Sequence, residues 1–252
     1  MKIGAQLYTM RDFLQTERDM EYTLQKISEI GYDTVQISGV GPVDPKVIRK
    51  LCDKNELKIV LTHTPQDKIL NATDKVIEEH NILGADYIGI GSMPGKYRDP
   101  AFVHRFAADY KEAAIKMKKA GKLFMYHNHA FEWQKIDGKR IIDILVDSFE
   151  PDEMGFTLDT YWVQAAGADI ITWIEKLQDR IPCVHLKDMG IVDFTPVMEA
   201  VGEGNINFEP IMAKLAELNK TKYALVEQDR CNGMSPFKAM ELSYNNLKKM
   251  GY

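Results

Sequence analysis

The nine residues Met125–Trp133, MYHNHAFEW, bring together two imidazoles, an amide, a carboxylate and three aromatic rings directly after an apolar run that begins at Leu123. Comparable groups follow other short apolar runs along the chain. Gln6 and Tyr8 follow the first, then Gln36, His63 and Ser92; the fifth gives His127 and His129 with Glu132 just beyond. The last three runs end in Asp159, in His185 with Lys187 and Asp188, and in Glu227 with Asp229. Imidazoles and carboxylates serve two kinds of chemistry, proton transfer and the holding of a cation. Buried together without partners they would cost on the order of several kcal/mol each, so a divalent ion reconciles them. The set contains no thiolate, which leaves Mn²⁺, Mg²⁺ and Zn²⁺ equally open.

What must position these groups is a regular alternation of elements. The runs IGAQLYT, TVQIS, KIVLTH, YIGIGS, KLFMYHN, GFTLDT, CVHLK and YALVEQ have strand character, and the stretches between them place apolar residues at helical spacing. Leu24, Ile27 and Ile30 share one face of such a stretch, as do Ile211, Leu215 and Leu218. Asp44 before Pro45 reads as an N-cap with proline at N1, and Gly31, Gly84 and Gly121 stand where helices should stop. No linker or low-complexity tract interrupts the pattern, so residues 1–252 are read as one domain. Eight strand-then-helix units predict an α/β fold, a single-domain (β/α)₈ TIM barrel, with an open doubly wound sheet as the alternative. In such a barrel the C-terminal strand ends carry function, and those are the positions where the polar residues interrupt the apolar runs.

Composition narrows the partner. The chain is 45% hydrophobic and 27% charged with a formal net charge of −5, and its Lys and Arg residues are scattered, which gives no footprint for a nucleic-acid backbone and no membrane span. The start MKIGAQLYTM lacks the apolar core and cleavage site of a secretory signal, so a cytoplasmic location is expected. Cys52, Cys183 and Cys231 are too far apart for a metal-binding pair and read as reduced thiols. A small-molecule substrate fits these constraints, and self-association into a homo-oligomer is left open.

The motifs LTHTP, YHNHAFEW, FTLDTYW, VHLKD followed by GEGNINF, and ALVEQD, in that order, resemble those of the sugar phosphate isomerase/epimerase family of xylose isomerase-like barrels. The resemblance covers essentially the whole chain. It implies a sugar or keto-sugar substrate and a divalent metal held by an acidic residue of the fifth strand, an Asp of the sixth, a His of the seventh and a Glu of the eighth. Asp159, His185 and Glu227 match the last three positions. At the fifth strand stands His127, taken as the fourth ligand, with Glu132 five residues later as the alternative. A histidine that many relatives carry three residues after the aspartate is here Trp162.

The resulting expectation is metal-assisted proton transfer beside a carbonyl. Glu132 or Glu227 would act as base, His129 or His63 as acid, and Lys187 would steady developing negative charge. Tyr8, Trp133 and Trp162 would face the sugar. Isomerisation or epimerisation is the leading outcome, with dehydration of an inosose-like or keto-glycoside substrate, or a non-catalytic sugar-binding barrel, as alternatives. Plainer readings exist for single residues: Asp159 as a helix cap, Glu227 as a surface charge, Lys187 with Asp188 as a surface ion pair, and the aromatic rings as packing. GEGNINF reads as a loop before the last barrel helix rather than a phosphate-binding turn.

Overall fold

The eight apolar runs form eight strands: β1 (Lys2–Gln6), β2 (Thr34–Ile37), β3 (Lys58–His63), β4 (Tyr87–Ile90), β5 (Leu123–His127), β6 (Met154–Asp159), β7 (Cys183–Leu186) and β8 (Tyr223–Val226). In the computed structural model, which describes residues 1–252, they pair in parallel around a closed barrel in the order β1-β8-β7-β6-β5-β4-β3-β2. The open-sheet alternative is thereby removed.

Helix boundaries follow local chemistry. Thr16 accepts the Asp19 N–H at the start of the helix Glu17–Ile30, which stops at Gly31 with φ +118°. Asp44 caps Pro45–Lys54 by accepting from the Lys46 N–H, and Thr73–Leu83 ends at Gly84 with φ +70°. Most of the apolar core, 58 buried residues, is one contiguous cluster. A separate cluster contains Leu61, Met125, Cys183 and Leu225. Each of these four precedes a site residue by two positions, His63, His127, His185 and Glu227 respectively, the last lying just past the end of β8. The strand period of two therefore points them to the same side, one layer deeper, so the site rests on an apolar floor.

Two antiparallel hairpins are additions to the alternation that the sequence pattern does not foresee. One pairs Lys135–Ile136 with Lys139–Arg140, the other Asp188–Val192 with Thr195–Glu199. GEGNINF leads into the helix Phe208–Leu218, which precedes β8 and is therefore not the last helix; that is Pro236–Lys249. Asp188 organises this loop. It is fully buried, and its carboxylate accepts the backbone N–H groups of Met189, Gly202, Gly204 and Ile206. The reading of Lys187 and Asp188 as a surface ion pair is thus corrected: neither is exposed, because each carries a buried network. No helix is long and apolar enough to cross a membrane.

Candidate active site

Four neighbouring strands each deliver one donor to the barrel mouth: His127 from β5, Asp159 from β6, His185 from β7, and Glu227 immediately after β8. One ligand-type atom from each lies within 4.8 Å of all the others, and all four residues are buried. Of the two fifth-strand alternatives, it is His127 that joins this cluster.

The outer contacts fix how the donors face. His127 Nδ1 lies 2.9 Å from the Gly91 carbonyl oxygen, which can only accept, so Nδ1 carries the proton and the Nε2 lone pair faces Asp159 Oδ2 at 3.2 Å. His185 Nε2 donates to Gln36 Oε1 at 2.7 Å, which turns Nδ1 toward Glu227 Oε2 at 3.0 Å and Asp159 Oδ2 at 3.8 Å. His185 Nδ1 and Glu227 Oε2 are both buried, and no directed hydrogen bond joins them in spite of their closeness. Gln6 Nε2 holds the other oxygen of Glu227 at 2.6 Å. Asp159 serves twice: Oδ1 caps the helix Thr160–Ala165 through the Trp162 N–H, while Oδ2 faces the cluster. Lone pairs of neutral imidazoles set against carboxylate oxygens are repulsive unless a proton or a cation lies between them. The donor set therefore fits a divalent ion held by mixed nitrogen and oxygen ligands.

Lys187 is the fixed cation of the site. Its Nζ lies 2.8 Å from Glu227 Oε2, 3.2 Å from Asp159 Oδ2, and 3.1 and 3.2 Å from the two oxygens of Asp229. Burial works against its charge, but Asp159, Glu227 and Asp229 outweigh that and raise its pKa. Burial also opposes ionisation of Asp159 and Glu227, and the same ammonium with the neighbouring imidazoles holds both carboxyls well below their ordinary range. At His185 the opposing burial is outweighed by Glu227 and Asp159, which raise its pKa, so a proton on Nδ1 competes with a bound cation.

Above the cluster lies a cavity of about 480 Å³ lined by His63, His127, His129, Lys187, Glu227 and Asp229, with Ser38, Ser92 and Tyr8 at its wall. His63 and His129 flank the His127 ring, with centroids 5.2 and 4.9 Å away. Burial and then the neighbouring His127 ring lower both pKa values, His129 to about 3, so both imidazoles are neutral at pH 7. His63 Nδ1 pairs with Ser38 Oγ at 3.1 Å, while His63 Nε2 and His129 Nδ1 have no partner. Trp162 packs on His129 with ring centroids 5.0 Å apart. A second lobe of about 570 Å³ adjoins the first, sharing Tyr8 and Asp229, and is walled by Trp162, Arg11, Arg230 and the Thr195–Met198 strand of the second hairpin.

Two sequence expectations are not brought to the mouth. Glu132 lines neither lobe. It is fully buried, accepting the Tyr126 hydroxyl at 2.6 Å and the His129 N–H at 2.8 Å, and so closes the 3₁₀ turn Ala130–Trp133. Trp133 packs edge-on against Trp173 at 5.1 Å and also lines neither lobe. The sequence reading missed Arg11, Arg230 and the hairpin wall; the signal for Arg230 was its place directly after Asp229 in VEQDR.

A closed parallel barrel with a metal-type donor set at its C-terminal mouth defines the class of protein. The chain belongs to the xylose isomerase-like TIM barrel family, whose pattern matches residues 24–249. It is 24% identical over 257 aligned positions to an inosose dehydratase of Clostridium perfringens, covering 86% of this chain and 84% of that one. An inosose dehydratase of Lacticaseibacillus casei is 23% identical, with 92% and 88% covered. In three dimensions the chain resembles a sugar phosphate isomerase/epimerase of Parabacteroides distasonis, with a TM-score of 0.83, 24% identity, and 98% and 93% of the two chains covered.

Proposed function

We propose that this protein is a metal-dependent enzyme that removes a proton beside the carbonyl of a keto-sugar or inosose, and that it goes on to expel a β-hydroxyl group as water. One observation carries the reading: four nitrogen and oxygen donors from adjacent strand ends converge within 4.8 Å of one another, and two of them, His127 and Glu227, line a sugar-sized cavity. His127, Asp159, His185 and Glu227 would hold the divalent ion, which when bound supplies Lewis acidity toward a carbonyl oxygen. Of the two carboxylates that line the cavity, Glu227 and Asp229, it is Glu227, steadied by Gln6, that accepts the proton from carbon. Lys187 places a permanent positive charge beside it, where negative charge on a substrate oxygen is stabilised. His63 and His129 present neutral ring nitrogens to substrate hydroxyls, and Trp162 and Tyr8 present flat faces to the ring. In the elimination the C–H electron pair becomes the new C=C bond, the β-hydroxyl leaves with the C–O pair, and the proton that Glu227 took from carbon is returned to it as water forms.

Dehydration is preferred over epimerisation because the fifth strand contributes an imidazole. Epimerisation through two carboxylates would require an acidic group facing Glu227 across the substrate. The Glu132 carboxylate is committed to its own turn, and the relatives named inosose dehydratase align over most of the chain. The test incubates the purified protein with Mn²⁺, Mg²⁺ or Zn²⁺ and a panel of inososes and keto-glycosides in deuterated water. Metal-dependent deuterium incorporation with ultraviolet absorbance from a conjugated enone is expected. Deuterium incorporation with a changed configuration and no enone would replace dehydration by epimerisation, and the absence of both would end the enzymatic reading.

A further inference from the structure

Beyond the flat faces of Trp162 and Tyr8, the larger lobe of the mouth is not used by the chemistry above, and its lining differs in kind from the cluster cavity. Two guanidinium groups, Arg11 and Arg230, stand at its wall. Neither forms an ion pair, while Asp229, the one carboxylate of the lobe, has both oxygens on Lys187. Arg11 is held in place before any ligand arrives: its Nη1 donates to the Tyr8 carbonyl at 3.0 Å, and its guanidinium lies over the Tyr8 ring at 4.5 Å. Trp162 and Tyr8 add flat apolar surface. An excess of positive charge in one recess of a chain with net charge −5 is a local field opposite in sign to that of the whole molecule. Guanidinium groups bind carboxylate and phosphate oxygens through paired N–H donors.

We propose that this lobe is a subsite for an anionic substituent, a carboxylate or a phosphate, carried on the part of the substrate remote from the reacting carbon. The proposal rests on the functional reading only in placing the reacting carbon in the smaller cavity. Because the lobes share Tyr8 and Asp229, one molecule reaches from the cluster to Arg11 and Arg230. The neutral aromatic surface between them accommodates a sugar ring or a short linker.

Calorimetric titration with three unreactive probes tests this: methyl β-D-glucuronide for a carboxylate, methyl β-D-glucoside 6-phosphate for a phosphate, and methyl β-D-glucoside as the neutral reference. One anionic probe should bind at least about tenfold tighter than the neutral one, and its advantage should shrink as salt is raised. Arg230→Gln, on an exposed segment after β8, should remove most of that advantage, and Arg11→Gln should do the same. Which anion is preferred identifies the source of the charge. Equal binding of all three probes, or an advantage that survives both substitutions, would overturn the subsite. Discrimination by a wild-type protein that exchanges no substrate deuterium supports the subsite and overturns the functional reading alone; exchange without discrimination does the reverse.

Discussion

At the scale of single residues, the site depends on which nitrogen of each imidazole is left bare. Gly91 and Gln36 decide this for His127 and His185, although neither touches the cluster centre itself. Removing such an outer partner typically costs about 10–100-fold in metal affinity. Gln36→Met should therefore weaken divalent-ion binding by about that factor while His185 stays in place, as read by competition titration against a metal-sensitive dye. Unchanged affinity would mean that the His185 tautomer is set by the carboxylates alone. The four clustered donors were legible in the sequence because each lies within one residue of a strand end, where the alternation of side chains fixes direction. Glu132 was misread for the same reason inverted. It lies five residues beyond His127, in a 3₁₀ turn where a period of two no longer applies, and there a glutamate three residues after the N-cap turns back to the backbone.

At the scale of elements, that turn makes a pH-dependent contribution to stability. Burial pushes the Glu132 carboxyl up to about 8, and the hydrogen bonds from Tyr126 and His129 only partly offset this. The folded state thus holds the proton more tightly than the unfolded chain, whose carboxyl titrates at its ordinary value of 4.5. Stability from this group is full below that value and falls as pH rises through about 8, because a charge must then be buried. Glu132→Gln removes the titration, so its melting temperature relative to wild type should climb between about pH 5 and about pH 9. A difference independent of pH would show that the carboxylate is well solvated in the folded state. The hairpin Asp188–Val192/Thr195–Glu199 escaped the sequence reading for a reason equally local. Its two-residue connection, Asp193 and Phe194, has φ +47° and +63°, positions for which Asn-Gly is the usual signal. A phenylalanine there, fully exposed, disguises the turn.

At the scale of the whole molecule, the barrel confines three carboxylates, Asp159, Glu227 and Asp229, around one ammonium, with the imidazoles neutral when a metal is held. Two negative charges remain, and one divalent ion balances them. The eight strands and their order were readable from the alternation of runs, but this balance was not, since it depends on Lys187 turning inward among the acids. A ligand present at 100 times its dissociation constant stabilises the folded state by about 2.7 kcal/mol, which for a chain of this length corresponds to roughly 5–10 °C in melting temperature. Saturating Mn²⁺, Mg²⁺ or Zn²⁺ should raise the melting point of the chelated protein by about that much for whichever ion the site selects. Lys187→Met sharpens the test. It removes the internal counter-charge without opening a large void, so the chelated variant should melt well below chelated wild type, with three carboxylates facing one another uncompensated. The metal-induced rise should then be larger than in wild type, because the ion replaces an absent cation and no longer shares its oxygens with an ammonium. Equal metal-induced shifts in the two proteins would mean that Lys187 and the ion do not act on the same carboxylates, and the charge balance at the barrel mouth would need another explanation.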